Sequence, residues 1–115
     1  MIIVRGIFLV LILSTLSLNS CKKNDPEIMD CDTMAASYKN DIVPILNSSC
    51  NTMGCHESGT ANGDYTNYEG IKEAADNGTL RNRVITNKTM PLSSSLITEQ
   101  LNKMECWLDS NAPNN

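Results

Sequence analysis

Large apolar side chains are scarce in this chain of 115 residues, and this scarcity limits what the chain can fold into. Aromatic residues make up 4% of the sequence, and the one phenylalanine, Phe8, lies in an apolar run near the N-terminus. Small domains with a modest apolar core usually need a disulfide, a metal or a cofactor to be stable. We therefore expect a single small domain whose stability depends on a disulfide, a metal or a cofactor.

The N-terminal residues have the organisation of an export signal. Arg5 gives a short positive region, and the apolar run at 7–13 is too short to span a bilayer comfortably. The run leads into Leu18-Asn19-Ser20-Cys21, which resembles a bacterial lipobox. An ordinary signal peptide and an uncleaved membrane anchor are the alternatives.

The lipobox interpretation divides the chain into three parts. Residues 1–20 are expected to be a lipoprotein signal peptide, and Cys21 is expected to be acylated. Residues 21–31, which include Pro26, form a polar tether, and residues 32–115 form the domain. The predicted location is the bacterial cell envelope, periplasmic or on the outer surface, with a lipid anchor holding the protein to the membrane.

Four cysteines remain once Cys21 is assigned to lipid. Cys31 and Cys106 stand alone near the two ends of the domain, whereas Cys50 and Cys55 are close together. The residue after Cys55 is His56, the only histidine in the chain. A C-x-x-C-H sequence is a haem attachment motif, and here the spacer has four residues instead of two.

The cysteines admit three interpretations. If Cys50 and Cys55 carry haem, Cys31 and Cys106 can close a long disulfide loop. The second possibility is two disulfides and no haem. The third is a zinc site drawing on three or four thiols with His56, although structural zinc sites usually show two tight ligand pairs.

Hydrophobic spacing predicts an all-α domain. Asp32 or Thr33 can cap a first helix through Leu46, or the helix proper starts near Asn40 or Asp41 with Pro44 in its first turn. Three more helices are expected, at 68–77 before Gly78, at 80–86 after a Thr79 cap, and after a Thr98 cap with an apolar stripe of Ile97, Leu101, Met104 and Leu108. No segment shows a strong two-residue alternation.

Three sequence features resemble small class I c-type cytochromes. They are the segment from Tyr38 to Leu46 leading into the cysteine and histidine motif, then Met90-Pro91, and then a C-terminal helix with Cys106-Trp107-Leu108-Asp109. The resemblance covers roughly residues 33 to 112. It implies a cytochrome c-like fold of three to four short helices around a covalently attached haem. Four-residue spacers between haem cysteines are known among multihaem cytochromes.

The resemblance also implies a role for each site residue. Cys50 and Cys55 would form thioether bonds to haem c, His56 would be the proximal iron ligand and Met90 the distal one. Among the methionines, Met90 alone lies in a loop before a proline, while Met34 and Met104 fit apolar helix faces. Aromatic residues that could line the haem are Tyr65, Tyr68 and Trp107.

These inferences predict a membrane-anchored monohaem cytochrome that carries single electrons between envelope redox partners. With two axial ligands the iron has no open position, so we expect a monomeric electron carrier and not an enzyme. The acidic composition, 13 acidic against 9 basic residues, argues against a nucleic-acid partner and favours a basic docking face on the redox partner. The alternatives are a disulfide-stabilised envelope module without redox function, and a five-coordinate haem peroxidase or gas sensor if Met90 does not bind.

Overall fold

The structure is a computed structural model that describes residues 30–115, so the predicted signal peptide, the acylated Cys21 and most of the tether lie outside the described residues. Within 30–115 there are helices and no strands, which confirms the all-α prediction for this part of the chain. Helix α1 has a π-helical part followed directly by an α-helical part, α3 is π-helical, and α2 and α4 are α-helices. Their bounds are Tyr38–Ile42 and Val43–Ser49 for α1, Tyr68–Asp76 for α2, Arg81–Thr86 for α3 and Thr98–Asp109 for α4.

Helix α1 begins later than a cap at Asp32 or Thr33 would place it. Asp30 instead organises a separate turn, in which its carbonyl accepts the backbone N–H of Thr33 at 3.2 Å. The helix is capped by Ser37, whose Oγ accepts the Asn40 N–H at 3.3 Å. Pro44 lies in the first turn of the α-helical part, where a missing N–H costs little.

The core lies between α1, α2, α4 and the inner face of α3. Trp107 is completely buried, stacks on Tyr38 with ring centroids 5.9 Å apart, and donates its indole N–H to the Pro113 carbonyl at 2.9 Å. Tyr68 packs edge-on against Tyr38 at 5.1 Å. The other side chains that are less than 2% exposed are Ile42, Leu46, Ile71, Met104 and Cys106. Burial of this apolar surface is the main source of stability.

A disulfide joins the start of the described chain to α4. It links Cys31 to the buried Cys106 across 75 residues, with the two Cα atoms 5.2 Å apart. In the chain-entropy model a loop of this length stabilises the fold by about 4.5 kcal/mol. For a domain with so few large side chains, this is a substantial share of the total stability.

The caps of the later helices differ from the predicted ones. The side chain of Asn77, and not that of Thr79, accepts a backbone hydrogen bond before α3, from the Thr79 N–H at 2.9 Å. Thr98 is the first residue of α4 and not its cap, because Ile97 occupies the cap position and its N–H donates to Gln100 Oε1 at 3.1 Å. Ile97 is therefore 61% exposed and does not extend the apolar stripe.

Helix α2 ends at Gly78, as its sequence predicts, with Gly78 in the left-handed region at φ 78°. At its other end, Asn67 caps the helix by accepting the Gly70 N–H at 2.9 Å. A Cβ atom at Gly70 would overlap the carbonyl oxygen of Asp64. The loop before α2 therefore packs directly on the helix backbone, which only a glycine permits.

Candidate functional site

The cysteine and histidine motif follows α1 directly and folds into a compact turn. Cys50 caps the C-terminus of α1, with its N–H donating to the Leu46 carbonyl at 2.8 Å. The chain then reverses, and the His56 N–H donates to the Cys50 carbonyl at 3.1 Å. The longer spacer is therefore accommodated as a closed turn that brings both ends of the motif together.

A second loop holds this turn in place. Thr60 Oγ1 donates to the Cys55 carbonyl at 2.9 Å, and the amide of Asn62 donates to the same carbonyl at 3.2 Å. The side-chain amide of Asn51 donates to the Tyr65 carbonyl at 3.0 Å. Because these bonds cross between two segments, the loop at 57–65 fixes the motif without any regular secondary structure.

A cavity of about 320 Å³ lies against the motif, and all four predicted haem residues line it. Cys50, Cys55 and His56 form part of its wall, and Met90 contributes from a segment 34 residues further along the chain. The remaining lining residues come from the motif turn, the following loop, α3 with the two residues before it, and the segment after Met90: Ser49, Thr52, Gly54, Asn62, Tyr65, Thr79, Leu80, Arg83, Pro91, Leu92 and Ser93.

His56 is oriented by two contacts on the loop side. Its ring stacks on Tyr65, with centroids 4.0 Å apart and planes 5° from parallel. Its Nδ1 lies 3.3 Å from the Gly63 carbonyl oxygen, a geometry in which Nδ1–H donates to that oxygen. This tautomer leaves the Nε2 lone pair for a metal, and a backbone carbonyl on the other nitrogen is the usual support of a metal-bound imidazole.

Met90 is held in place by the backbone of α3. The Arg83 carbonyl accepts the N–H of Thr89 at 2.8 Å and that of Met90 at 3.2 Å. The Met90–Pro91 peptide bond is cis, and the Met90 side chain packs partly against the core. The thioether is thus presented to the cavity by a segment tied to the neighbouring helix.

The two thiols of the motif are not bonded to each other. Burial raises the pKa of Cys50 to about 11, and the nearby Cys55 adds to the rise, so Cys50 is a neutral thiol at pH 7. The structure therefore contains one of the two disulfides that the haem-free interpretation requires, the Cys31–Cys106 bridge.

The zinc interpretation finds no support in the described part of the chain. Two of its thiols, Cys31 and Cys106, are consumed by the disulfide. Over residues 30–115, no three side chains from histidine, cysteine, aspartate and glutamate come close enough together to hold one metal ion. The motif residues share a cavity, but they do not converge on a single point.

Two of the three candidate aromatic residues are absent from the cavity. Tyr65 lines it, whereas Tyr68 and Trp107 belong to the core, and the Tyr68 hydroxyl donates to the Ala112 carbonyl at 2.8 Å. Sequence reasoning missed Thr79, Leu80 and Arg83 as lining residues. Nothing in the local sequence marks Thr79 or Arg83, because their position beside the motif depends on tertiary packing.

Comparison of the chain with protein-family models, with curated proteins and with solved structures found no match. None of the helices in residues 30–115 has the length and apolar character needed to cross a membrane.

Proposed function

We propose that this protein is a monohaem c-type cytochrome, anchored to the bacterial envelope by lipid at Cys21, that carries single electrons between envelope redox partners. The observation that carries the proposal is the presence of Cys50, Cys55, His56 and Met90 on the walls of one cavity. These residues come from two segments far apart in sequence. Cys50, Cys55 and His56 were predicted from residue type and order, and Met90 from the resemblance to c-type cytochromes. Their shared location supports a common ligand.

The donor set fits haem c better than it fits a single ion. Two unbonded thiols are the groups that thioether attachment consumes, and His56 has its Nε2 lone pair available. Because no three histidine, cysteine, aspartate or glutamate side chains in residues 30–115 meet at one point, a larger group between the motif residues and Met90 accounts better for their arrangement. The cavity volume, about 320 Å³, lies at the lower end of the range for small-molecule sites.

Each side chain has a distinct task in this proposal. Cys50 and Cys55 would anchor the group covalently, and His56, oriented by Gly63 and Tyr65, would bind the iron through Nε2. Met90, held by the hydrogen bond from its backbone N–H to the Arg83 carbonyl, would bind the iron through its thioether. Haem with histidine and methionine ligands supplies reversible one-electron chemistry at a six-coordinate iron, so the proposed role is electron transfer and not catalysis.

The first experiment is expression of the full chain with a haem maturation system. We expect a red protein whose absorption survives denaturation and extraction with acidic acetone, because thioether bonds retain the haem. The variant in which both Cys50 and Cys55 are changed to alanine should lose this colour. The variant with alanine at both Cys31 and Cys106 should keep covalently bound haem. A colourless full-length protein would contradict the proposal and leave the envelope module without redox function as the remaining hypothesis.

The second experiment tests the axial ligand. Met90→Ala should abolish the sulfur-to-iron charge-transfer band of the oxidised protein, because the thioether is removed. Met53→Ala is the matched control, since Met53 lies within the motif but is 93% exposed. A coloured protein in which M90A and M53A give the same spectrum as the unmodified chain would contradict the assignment of Met90. Such a protein would favour a five-coordinate haem with sensor or peroxidase chemistry.

A further inference from the structure

Arg83 differs in charge from the other residues around the cavity. Among the lining residues it is the only lysine, arginine, aspartate or glutamate. Its guanidinium forms no ion pair within residues 30–115, whereas Arg81, two positions earlier, pairs with Glu105 and Asp109. Lys72 and Lys103 are also paired with carboxylates. An uncompensated cation therefore stands at a cavity whose other walls are neutral.

The position of Arg83 is fixed by its surroundings even though its side chain is exposed. Leu80 and Val84, which are 3% and 4% exposed, bury the inner face of α3. The Arg83 carbonyl is tied to the segment of Thr89 and Met90. Thr79 stands four residues earlier, on the same side of the helical stretch, and also lines the cavity. A residue with a hydroxyl and a residue with a guanidinium thus both line the cavity.

This arrangement favours the binding of a ligand that carries an anionic group. A guanidinium offers a planar fork of donors that matches a carboxylate, and such charge-assisted bonds are about twice as strong as neutral ones. The protein has a net charge of −4, so the rest of the molecule does not attract an anion. Among the residues that line the cavity, Arg83 is the one whose charge can attract an anion.

We propose that Arg83 binds a carboxylate of the cavity ligand, which under the proposed function is a propionate of haem, and that Arg83 thereby helps to set the reduction potential. This inference rests on the proposed function. A cation near the iron site disfavours the oxidised state, which carries one more positive charge. The Arg83 side chain should therefore raise the reduction potential and constrain the propionate that it contacts.

The test compares three variants of the haem-loaded full chain. Arg83→Gln removes the charge at the cavity, Arg83→Lys keeps the charge without the planar fork, and Arg81→Gln removes a charge from the same helix that two carboxylates already offset. The measurements are the midpoint potential and the propionate bending band in the resonance Raman spectrum. Denaturant unfolding of each variant reports whether the fold is retained.

We expect R83Q to lower the midpoint potential and to shift the propionate band, while R83K restores part of the potential. R81Q should leave the propionate band in place and change the potential less. If R83Q and R81Q gave equal potentials and unshifted propionate bands in red, folded proteins, the role of Arg83 would be overturned and the cytochrome proposal would stand. A colourless unmodified protein would overturn both.

Discussion

The two sides of this domain are built by different means. The core side, formed by α1, α2, α4, the inner face of α3 and the Cys31–Cys106 disulfide, relies on buried apolar area and a covalent bond. The cavity side, formed by the motif turn, the loop at 57–65 and the segment at 87–93, relies on hydrogen bonds between irregular segments. The comparison indicates that the stabilising core and the candidate site are built largely from separate parts of a small chain.

This separation predicts that substitutions on the core side change the free energy of unfolding, and that substitutions on the cavity side change the spectrum of the bound ligand. The largest effect is expected for Trp107→Ala. It removes the one tryptophan from the centre of the core and should cost about 3–5 kcal/mol of unfolding free energy. Chemical denaturation measures this loss. A loss below about 1 kcal/mol would show that the core side does not depend on Trp107.

The disulfide gives the next largest effect. Replacing both Cys31 and Cys106 by alanine should destabilise the domain by about 2–5 kcal/mol, because the unfolded chain regains the freedom of a 75-residue loop. Denaturation of this variant beside the unmodified protein checks the value. The prediction is wrong if reduction of the unmodified protein leaves its denaturation midpoint unchanged.

Gly70→Ala tests the contact between the two sides. The added methyl group overlaps the Asp64 carbonyl, so the loop before α2 has to move, at a cost of about 1–3 kcal/mol. Glu69→Ala is the matched control, because Glu69 is the exposed neighbour on the same helix. It should change stability by less than about 0.5 kcal/mol. Equal denaturation midpoints for the two variants would show that the loop moves aside without a measurable cost in stability.

The smallest effect is expected for Asp41→Asn. The hydrogen bond from Lys103, at 2.8 Å, and the one from the Ser37 backbone hold the pKa of Asp41 below its usual value. The carboxylate therefore stabilises the fold above its unfolded pKa of about 3.9, and this contribution is lost as the pH falls through the lower folded pKa. An ion pair of this kind is worth about 0.2–1 kcal/mol.

The measurement for Asp41 is a pair of stability profiles between acidic and neutral pH. The unmodified protein and D41N should differ above about pH 4 and converge as the pH falls further. Profiles that remain parallel over the whole range would rule out the carboxylate as the cause.

Much of the core side followed from residue spacing. The helices at 68–77 and 80–86 were predicted within a few residues, because Gly78 marks the end of the first and Leu80 and Val84 share one face of the second. The helix starts were less accurate. Ser37, Leu80 and Ile97 occupy the cap positions that Asp32 or Thr33, Thr79 and Thr98 were expected to hold. Several polar residues near each start can cap a helix, and tertiary packing selects among them.

On the cavity side, too, some site residues could be predicted from the sequence and others could not. Met90 was predicted from the resemblance to small c-type cytochromes. The roles of Cys50, Cys55 and His56 could be predicted from residue type and order, because two nearby cysteines followed by the only histidine form a recognisable motif. The participation of Thr79 and Arg83 could not, since nothing in their local sequence distinguishes a cavity-lining arginine from the paired Arg81.

By itself, the sequence determined the helical class of residues 30–115 and the chemical character of the candidate site. It also determined that large apolar side chains are few, so that the domain needs a disulfide or a bound group for stability. These are properties of composition and short-range periodicity, which do not depend on distant parts of the chain. The tertiary structure alone decided that Met90 shares a cavity with the motif, that Trp107 and Tyr68 serve the core, and that Arg83 stands uncompensated at the site. Long-range packing decides these features because each requires segments distant in sequence to meet.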